Sequence, residues 1–488
     1  MKLLRIIPLS CLFLFSFAIY LQAQPQGLPI TLGQSFSIQS EILDEDRPYM
    51  VYLPEDYDHT GDPVAVMYLM DGSGHFLHTS GIVDFLIHQN RIPEMMIVAI
   101  PNTNDRTRDL TPPIELHEAS RQRMPTAGGA NKTLAFMKDE LMPHIEANYN
   151  TNPFQMLVGH SFGGIFVVNC LLTQPELFDA YISISPSLWW DQQHLITKTE
   201  LFLEENPDLK GYFYMTMGNE RKEMLGSAMK MAAVLEMKAP DSFAWDFKIM
   251  EEETHGSIPH RSTYDGLEAI FKDWYSVRIG ELYQEGGMEA LKTYLAGVEE
   301  KMGYRKKLSE SSLNRFGYQL MRNNQLGKAL EIFQLNAQQY PSSFNVFDSM
   351  GEAYMKMGNQ EQAISNYKKS LDLHPGNQNA VMMLQEMGET YDPTTTQIKL
   401  STKKMKQYVG EYSAIRGMTL HISLEGGELM AWADPMITKQ KLLAFPDNRF
   451  MLSEMNILLE FSYNDQEEVI GYVAQMGIGQ TASGEKLK

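Results

Sequence analysis

Between residues 40 and 276 the chain alternates short, nearly unbroken apolar runs with longer amphipathic stretches. The runs are "YMVYLP" (49–54), "VAVMYLM" (64–70), "MMIVAI" (95–100), "QMLVGH" (155–160), "AYISIS" (180–185), "GYFYMTM" (211–217) and "AWDFKIM" (244–250). A strand covered on both faces loses the polar half of the usual alternation, so continuous runs of this length read as strands of a buried, mostly parallel sheet. Residues 76–90, 127–149, 162–173, 221–238 and 262–276 carry apolar side chains at helical spacing. This alternation predicts an α/β fold, an open sheet with helices on both faces. The first two runs, which precede any helix, are expected to form an antiparallel edge.

The pattern changes near residue 278. From there to 391 only helical periodicity is visible, and it repeats. Glu310–Ser343 and Phe344–Asn377 are each 34 residues long and align Leu313 with Phe347, Gly317 with Gly351, Ala329 with Ala363, Phe333 with Tyr367 and Pro341 with Pro375. Small residues where helices touch, bulky ones in the groove and a closing Pro are the signature of a tetratricopeptide repeat. Residues 278–309 and 378–391 are expected to cap the stack. After the linker "YDPTTTQIKLS" (391–401) the period falls to two, with Leu420, Ile422 and Leu424 alternating with polar residues and "EGGE" (425–428) making a turn. A small antiparallel sheet or barrel is predicted for 392–488. No catalytic constellation is visible there, and a structural or lid-like role is expected.

The chemistry concentrates at Gly159-His160-Ser161-Phe162-Gly163-Gly164. It fits G-x-S-x-G, a sharp strand-to-helix turn that lifts a serine above the carboxyl edge of a sheet. Glycines flank the serine because side chains there would strike the neighbouring strand or helix. The helix that follows favours a developing negative charge. Serine needs a base, and the base an orienting acid. In this fold they follow in the order acid, then His. His255, in "EEETHGSIPH" after the last strand, is the expected base, with His260 as the competitor. Glu220, just past "GYFYMTMGNE", is the expected acid, with Asp191, Asp241 and Glu223 as competitors. The oxyanion hole requires two backbone N–H groups. Phe162 supplies one, and Ser73, in a "DGSGHF" turn shaped by Asp71 and Gly72, supplies the other. His75 and His78 in the same segment can be pictured as a metal pair, but no carboxylates with ligand spacing accompany them, and no cofactor is expected.

Charge and cysteine content narrow the field. The 488 residues include 41 basic and 61 acidic side chains, a formal charge of −20. That balance argues against a nucleic-acid partner and against docking on anionic lipid. Hydrophobic content of 43% and charged content of 21% suit a globular protein of several domains. Lys2 and Arg5 precede an apolar run from Leu9 to Leu21 that ends at "LQA". Residues 1–23 therefore read as a secretory signal peptide rather than a stable membrane span, with a mature chain from about Gln24 and a periplasmic or secreted location. Four segments follow: signal peptide 1–23, hydrolase 24–277, helical repeats 278–391 and β-rich tail 392–488. Cys11 would leave with the signal, and Cys170 lies in an apolar helical pattern as a buried thiol.

Taken together, "RPYMVYLPEDY", "MYLMDGSGHF", "IPNTNDRTRDLTP", "VGHSFGG", "ISPSLWW", "MGNE" and "THGSIPH" resemble the bacterial putative-esterase family. This is the α/β-hydrolase branch that includes enterobactin-type siderophore esterases, feruloyl esterases and mycolyltransferases. The likeness covers about residues 30–276. It implies Ser161 as nucleophile, His255 as base and a hole from Ser73 and Phe162. Glu220 is the natural place for the acid, although some members of the branch dispense with a strong one. Trp189 and Trp190, with the "NTNDRTRDLTP" loop, would line the substrate pocket or pack in the core. Arg106 and Arg108 would meet an anionic substrate or pair with Asp105 and Asp109. The tail resembles small β-domains appended to penicillin-binding-like hydrolases. The implied activity is serine-dependent hydrolysis of small-molecule or glycan esters, including siderophore or acylated-carbohydrate esters. Two other readings stand beside it: a binding protein whose repeats recruit a protein partner while the hydrolase serves as scaffold, and an acyltransferase.

Overall fold

Eight strands build the first sheet of the computed structural model: β1 (Gln34–Ser40), β2 (Glu45–Tyr52), β3 (Val64–Met70), β4 (Met95–Ile100), β5 (Thr151–His160), β6 (Ala180–Ile184), β7 (Gly211–Gly218) and β8 (Phe243–Met250). The structure describes residues 31–487 apart from 56, 58, 60, 104, 117, 221, 276–278, 304–305, 392–396, 415–417, 456, 465 and 478–479. The segment 1–23, read above as a signal peptide, lies outside the described residues. The strand order is β1-β2-β4-β3-β5-β6-β7-β8. β3 pairs in parallel with β4 and β5, and parallel pairing continues through β6, β7 and β8.

The antiparallel edge differs from the expectation. It is formed by β1 and β2, which run antiparallel to each other, with β2 antiparallel to β4. The run 64–70 is instead the interior strand β3, buried at every residue. β1, "QSFSIQS", is largely exposed. A polar edge strand carries no apolar run, so hydrophobic patterning alone passes over it.

The helices are α1 (Gly72–His88), α2 (Arg106–Leu110), α3 (Glu118–Arg123), α4 (Ala130–Phe136), a π-turn at Met137–Leu141 leading into α5 (Met142–Asn148), then α6 (Phe162–Thr173), α7 (Trp190–Glu205), α8 (Glu223–Lys238), α9 (Ile258–Ile270) and α10 (Lys272–Tyr275). Both faces of the sheet are covered. Val66, Tyr68 and Met70 of β3 point into a core shared with Ile165, Val168 and Leu171 of α6. Ala65, Met67 and Leu69 point the other way, into a core with Val83 and Leu86 of α1 and Leu267 and Ile270 of α9. This is the two-residue alternation of a strand, apolar on both sides because both sides are covered.

Six helices follow: α11 (Ile279–Met302), α12 (Glu310–Arg322), α13 (Leu326–Gln339), α14 (Phe344–Lys356), α15 (Gln360–Leu373) and α16 (Gln378–Glu386). Val298 and Met302 of α11 join the core that holds Met67. In the two central pairs one contact recurs 34 residues apart. A Cβ on Gly317 would stand 2.4 Å from the Phe333 ring, and one on Gly351 would stand 2.9 Å from the Tyr367 ring. Each glycine lets an aromatic side chain close onto the facing helix.

After α17 (Thr402–Tyr408), eight antiparallel strands run in simple up-and-down order: β9 (Gly410–Ser413), β10 (Thr419–Glu425), β11 (Glu428–Ala433), β12 (Ile437–Phe445), β13 (Arg449–Leu452), β14 (Leu458–Tyr463), β15 (Val469–Gly477) and β16 (Gln480–Glu485). A bridge between Tyr412 and Lys486 brings the last strand back to the first, so the sheet is barrel-like. Gly426 and Gly427 turn β10 into β11 with φ of 60° and 86°, as a two-residue hairpin requires. Arg449 donates to the Leu373 carbonyl at 3.1 Å, fastening this sheet to the end of α15. Residues 32–488 pack as one compact unit. Among the described residues no helix is long and apolar enough to cross a membrane.

Candidate active site

Ser161 stands between the end of β5 and the start of α6 with φ 61° and ψ −112°. A positive φ is costly for a residue with a side chain and persists only where the surroundings enforce it. Here they do. Ser161 N–H donates to Ile184 O at 3.0 Å, and Ser161 O accepts from Ile165 N at 3.1 Å and Ser187 N at 3.2 Å. The flanking glycines answer to crowding. A Cβ on Gly159 would stand 2.3 Å from Gly163 O, and one on Gly164 would stand 2.9 Å from Pro186 Cα. Ser161 Oγ faces Ser187 Oγ at 3.3 Å.

Glu220 and His255 follow the adjacent parallel strands β7 and β8, so both reach the same carboxyl edge as Ser161. His255 Nδ1 lies 2.7 Å from Glu220 Oε2. The other carboxylate oxygen accepts from Ser185 Oγ at 2.6 Å, and Ser185 Oγ in turn accepts from Gly218 N–H at 3.3 Å. Burial pushes the Glu220 carboxyl up, but the hydrogen bonds from His255 and Ser185 outweigh it and hold the group below the ordinary glutamate value. The two loops are tied together by Asn219 N–H, which donates to Glu253 O at 2.6 Å. With Nδ1 engaged by Glu220, Nε2 is the ring nitrogen left over. Its ring packs 4.5 Å from that of His160, the residue before Ser161. The competitors are placed elsewhere. Asp191 accepts from Glu115 N at 2.6 Å and from Leu116 N, Glu223 opens α8, Asp241 is exposed, and His260 lies beside His78 at 5.6 Å between ring centres.

Ser73 and Phe162 lie in the first turns of α1 and α6, where backbone N–H groups have no carbonyl partner in their own helix. The two helices follow neighbouring strands, β3 and β5. Asp71 joins them. It has φ 56° and ψ 39° at the start of α1, and its Oδ2 would lie 2.9 Å from a Cβ on Gly163. Arg106 grips Asp71 with two bonds, Nε to Oδ1 at 2.5 Å and Nη2 to Oδ2 at 2.9 Å. The same Nη2 reaches His160 O at 3.1 Å, and Asn102 adds a bond to Asp71 Oδ1 at 2.5 Å. Arg106 thus links the start of α1, which carries Ser73, to the last residue of β5, which precedes Ser161. Its guanidinium also lies over the Phe162 ring, 5.4 Å from the centroid.

Arg108 is committed to carboxylates, with Nε 2.7 Å from Asp109 Oδ1 and Nη2 2.7 Å from Glu45 Oε1. Trp190 is 2% exposed, and its indole N–H donates to Pro112 O at 3.1 Å. Trp189 is half-buried and lies 6.2 Å from Phe162 between ring centres. After the two tryptophans come Asp191, Gln192 and Gln193, all with positive φ (45°, 57° and 66°). The kink lies in the first turn of α7, and the sequence pattern had assigned no helix to 190–205 at all. Ser185 and Ser187, both in "ISPSLWW", are also parts of the site that the sequence pattern did not single out.

His75 and His78 do pair, Nδ1 to Nε2 at 3.0 Å, and belong to a longer row. Ring centres lie 5.6 Å apart for His78–His260, 5.2 Å for His75–His78, 5.6 Å for His75–His160 and 4.5 Å for His160–His255. Among the described residues no group of three or more His, Cys, Asp or Glu is arranged to hold a metal ion. Burial, reinforced by neighbouring imidazoles, lowers His160 and His78 from 6.5 to about 4. The neutral forms are therefore the ones the fold accepts. Below pH 6.5 the unfolded chain binds protons that the folded chain refuses, so stability falls as pH drops from about 6.5 towards about 4. The expected result is a thermal midpoint several degrees lower at pH 5 than at pH 7.5, with a shallower dependence in His78→Gln. An equal slope in wild type and variant would remove His78 from the account.

Residues 40–259 match the family described as "Putative esterase". The ferri-bacillibactin esterase of Bacillus subtilis is 33% identical over 179 residues, 33% of this chain and 60% of that protein. The siderophore triacetylfusarinine C esterase of Aspergillus fumigatus is 26% identical over 294 residues, 51% of this chain and 97% of that protein. Among solved structures, an IroE-like serine hydrolase from Shewanella oneidensis is 30% identical with a TM-score of 0.55. That match covers 63% of this chain and 99% of that one.

Proposed function

Because the chain belongs to the putative-esterase family of siderophore-esterase-like α/β-hydrolases, we propose that it hydrolyses carboxylic esters at Ser161 through an acyl-enzyme. The observation that carries this reading is the 2.7 Å contact between His255 Nδ1 and Glu220 Oε2, with the His255 ring packed at a tilt against the residue that precedes Ser161. Ser161 Oγ turns from Ser187 towards His255 and attacks the acyl carbon as Nε2 takes its proton. The oxyanion is received by the N–H groups of Ser73 and Phe162. The alcohol leaves with the proton from His255. Water, deprotonated by the same nitrogen, then cleaves the acyl-serine and restores Ser161 Oγ–H. Glu220 keeps the tautomer correct and stabilises the imidazolium. Trp189 stands beside Phe162 at the edge of the site, while Arg106 acts by holding the Ser73 loop rather than by meeting substrate.

The substrate class we favour is the esters of iron siderophores, the class named for the relatives from Bacillus and Aspergillus. A panel tests it: a tricatechol trilactone, triacetylfusarinine C, a feruloyl sugar ester and p-nitrophenyl butyrate, each assayed for released acid. The expected kcat/KM is at least ~10-fold higher for a siderophore ester than for the feruloyl ester, equivalent to about 1.4 kcal/mol of transition-state binding. A preference for the feruloyl ester would overturn the substrate assignment while leaving the chemistry intact. We read α12–α15 as tetratricopeptide-type repeats that offer a surface to a protein partner, supported by the recurring Gly317–Phe333 and Gly351–Tyr367 contacts. We read residues 1–23 as an export signal, on the charge and apolar run of that segment.

A further inference from the structure

His160 occupies the variable position of the nucleophile turn and takes no part in the proton path from Ser161 through His255 to Glu220. Its environment is nevertheless built. The ring centre lies 4.5 Å from that of His255, tilted by 44°. It also meets His75 edge-on, 5.6 Å away at 86°. His75 is itself held by His78 at 3.0 Å. The backbone carbonyl of His160 is fixed by Arg106 at 3.1 Å. His160 Nε2 is buried with no hydrogen-bond partner, an arrangement that costs stability and that an apolar side chain would avoid.

We propose that His160 is a positioning residue for the base: packed against both His75 and His255, its ring keeps His255 aligned with Glu220 and offers an aromatic face to the imidazolium formed when Ser161 gives up its proton. This rests on the reading of Ser161 and His255 as nucleophile and base. The physical ground is that a cation gains from an aromatic face, modestly where the cation is still partly exposed, as the His255 side chain is at 41%. The charged and titratable groups around the ring agree with it. From α1 come His75 and His78, with His260 of α9 beyond them. Asp71 stands at the start of α1 with Arg106 of α2 clamped on it. From the loops after β7 and β8 come Glu220 and His255, already bonded to each other. Burial lowers His160 to about 4, so the ring next to the base is neutral at neutral pH and does not oppose the positive charge that forms on it.

The test compares His160→Leu with His160→Phe in the full chain. Phe keeps the aromatic face and Leu removes it. Expected for His160→Leu is a kcat about 3-fold lower with KM within ~2-fold, the loss of a single partly exposed cation–aromatic contact. The acid limb of its kcat/KM profile moves to lower pH. His160→Phe recovers most of the lost kcat and keeps the wild-type limb. A second readout does not depend on turnover: the far-downfield proton resonance of the His255–Glu220 hydrogen bond, assigned by its absence in His255→Gln. It persists in wild type and His160→Phe and broadens or vanishes in His160→Leu. Wild-type kinetics and an unchanged resonance in His160→Leu would overturn the proposal, and so would equal losses in both variants. If the wild-type protein cleaved no ester, the functional reading would fall, and the resonance would still decide whether His160 positions the ring.

Discussion

Replacing Ser161 with Ala is expected to lower kcat for p-nitrophenyl ester hydrolysis by about 10⁴-fold or more, leaving only what oriented binding and the oxyanion N–H groups contribute. The fold should not suffer. Ser161 holds its place through backbone bonds to Ile184, Ile165 and Ser187, which Ala retains. The side chain gives up only the 3.3 Å contact with Ser187 Oγ. An unchanged thermal midpoint beside an abolished rate is therefore the expected pair of results. Full activity in the variant would mean that the strained turn presents something other than a nucleophile.

Glu220→Gln is expected to reduce kcat by between about 10² and 10⁴, and the orientation of the new amide sets where in that range it falls. If the amide nitrogen faces His255, its N–H forces Nδ1 to accept. The imidazole proton then sits on Nε2, the nitrogen that must take the proton from Ser161. If the amide oxygen faces His255, the tautomer survives and only the charge is lost. Ser185 favours the first outcome, because it receives Gly218 N–H at 3.3 Å and gives its own proton to Glu220 Oε1 at 2.6 Å. Ser185→Ala in the Glu220→Gln background should therefore return part of the lost rate by freeing the amide to turn. Loss of less than ~5-fold in Glu220→Gln would place the protein among esterases that work without a strong acid, against the inference from geometry.

Much of the architecture was legible because its signals are local. The interior strands announced themselves as unbroken apolar runs, and β4 occupies the run 95–100. The helix after Ser161, Phe162–Thr173, likewise matches its pattern. Gly159 and Gly163 could be read as crowding sites from the motif, and the structure names what they would strike, Gly163 O and Asp71 Oδ2. The features that escaped are set by distant partners. β1 is polar and depends on β2 for its place. α7 begins in a run of positive-φ residues that no periodicity encodes. Arg106 looked like a ligand for an anion or a neighbour of Asp105. In the fold it closes on Asp71, 35 positions away. Asp71 itself was read only as a turn residue, because its role depends on a bidentate partner from another loop. The histidine row shows the same limit. His75 and His78 are close in sequence, but His160, His255 and His260 join them only once β3, β5 and β8 are assembled.

Ser161 is proposed as the reactive nucleophile of an acyl-transfer site. Labelling with a fluorophosphonate, followed by mass mapping of the modified peptide, addresses that most directly. The adduct is predicted on Ser161 in wild type, absent in Ser161→Ala and slowed in Glu220→Gln. An adduct on a different residue, or ester hydrolysis that continues while Ser161 stays unlabelled, would contradict it.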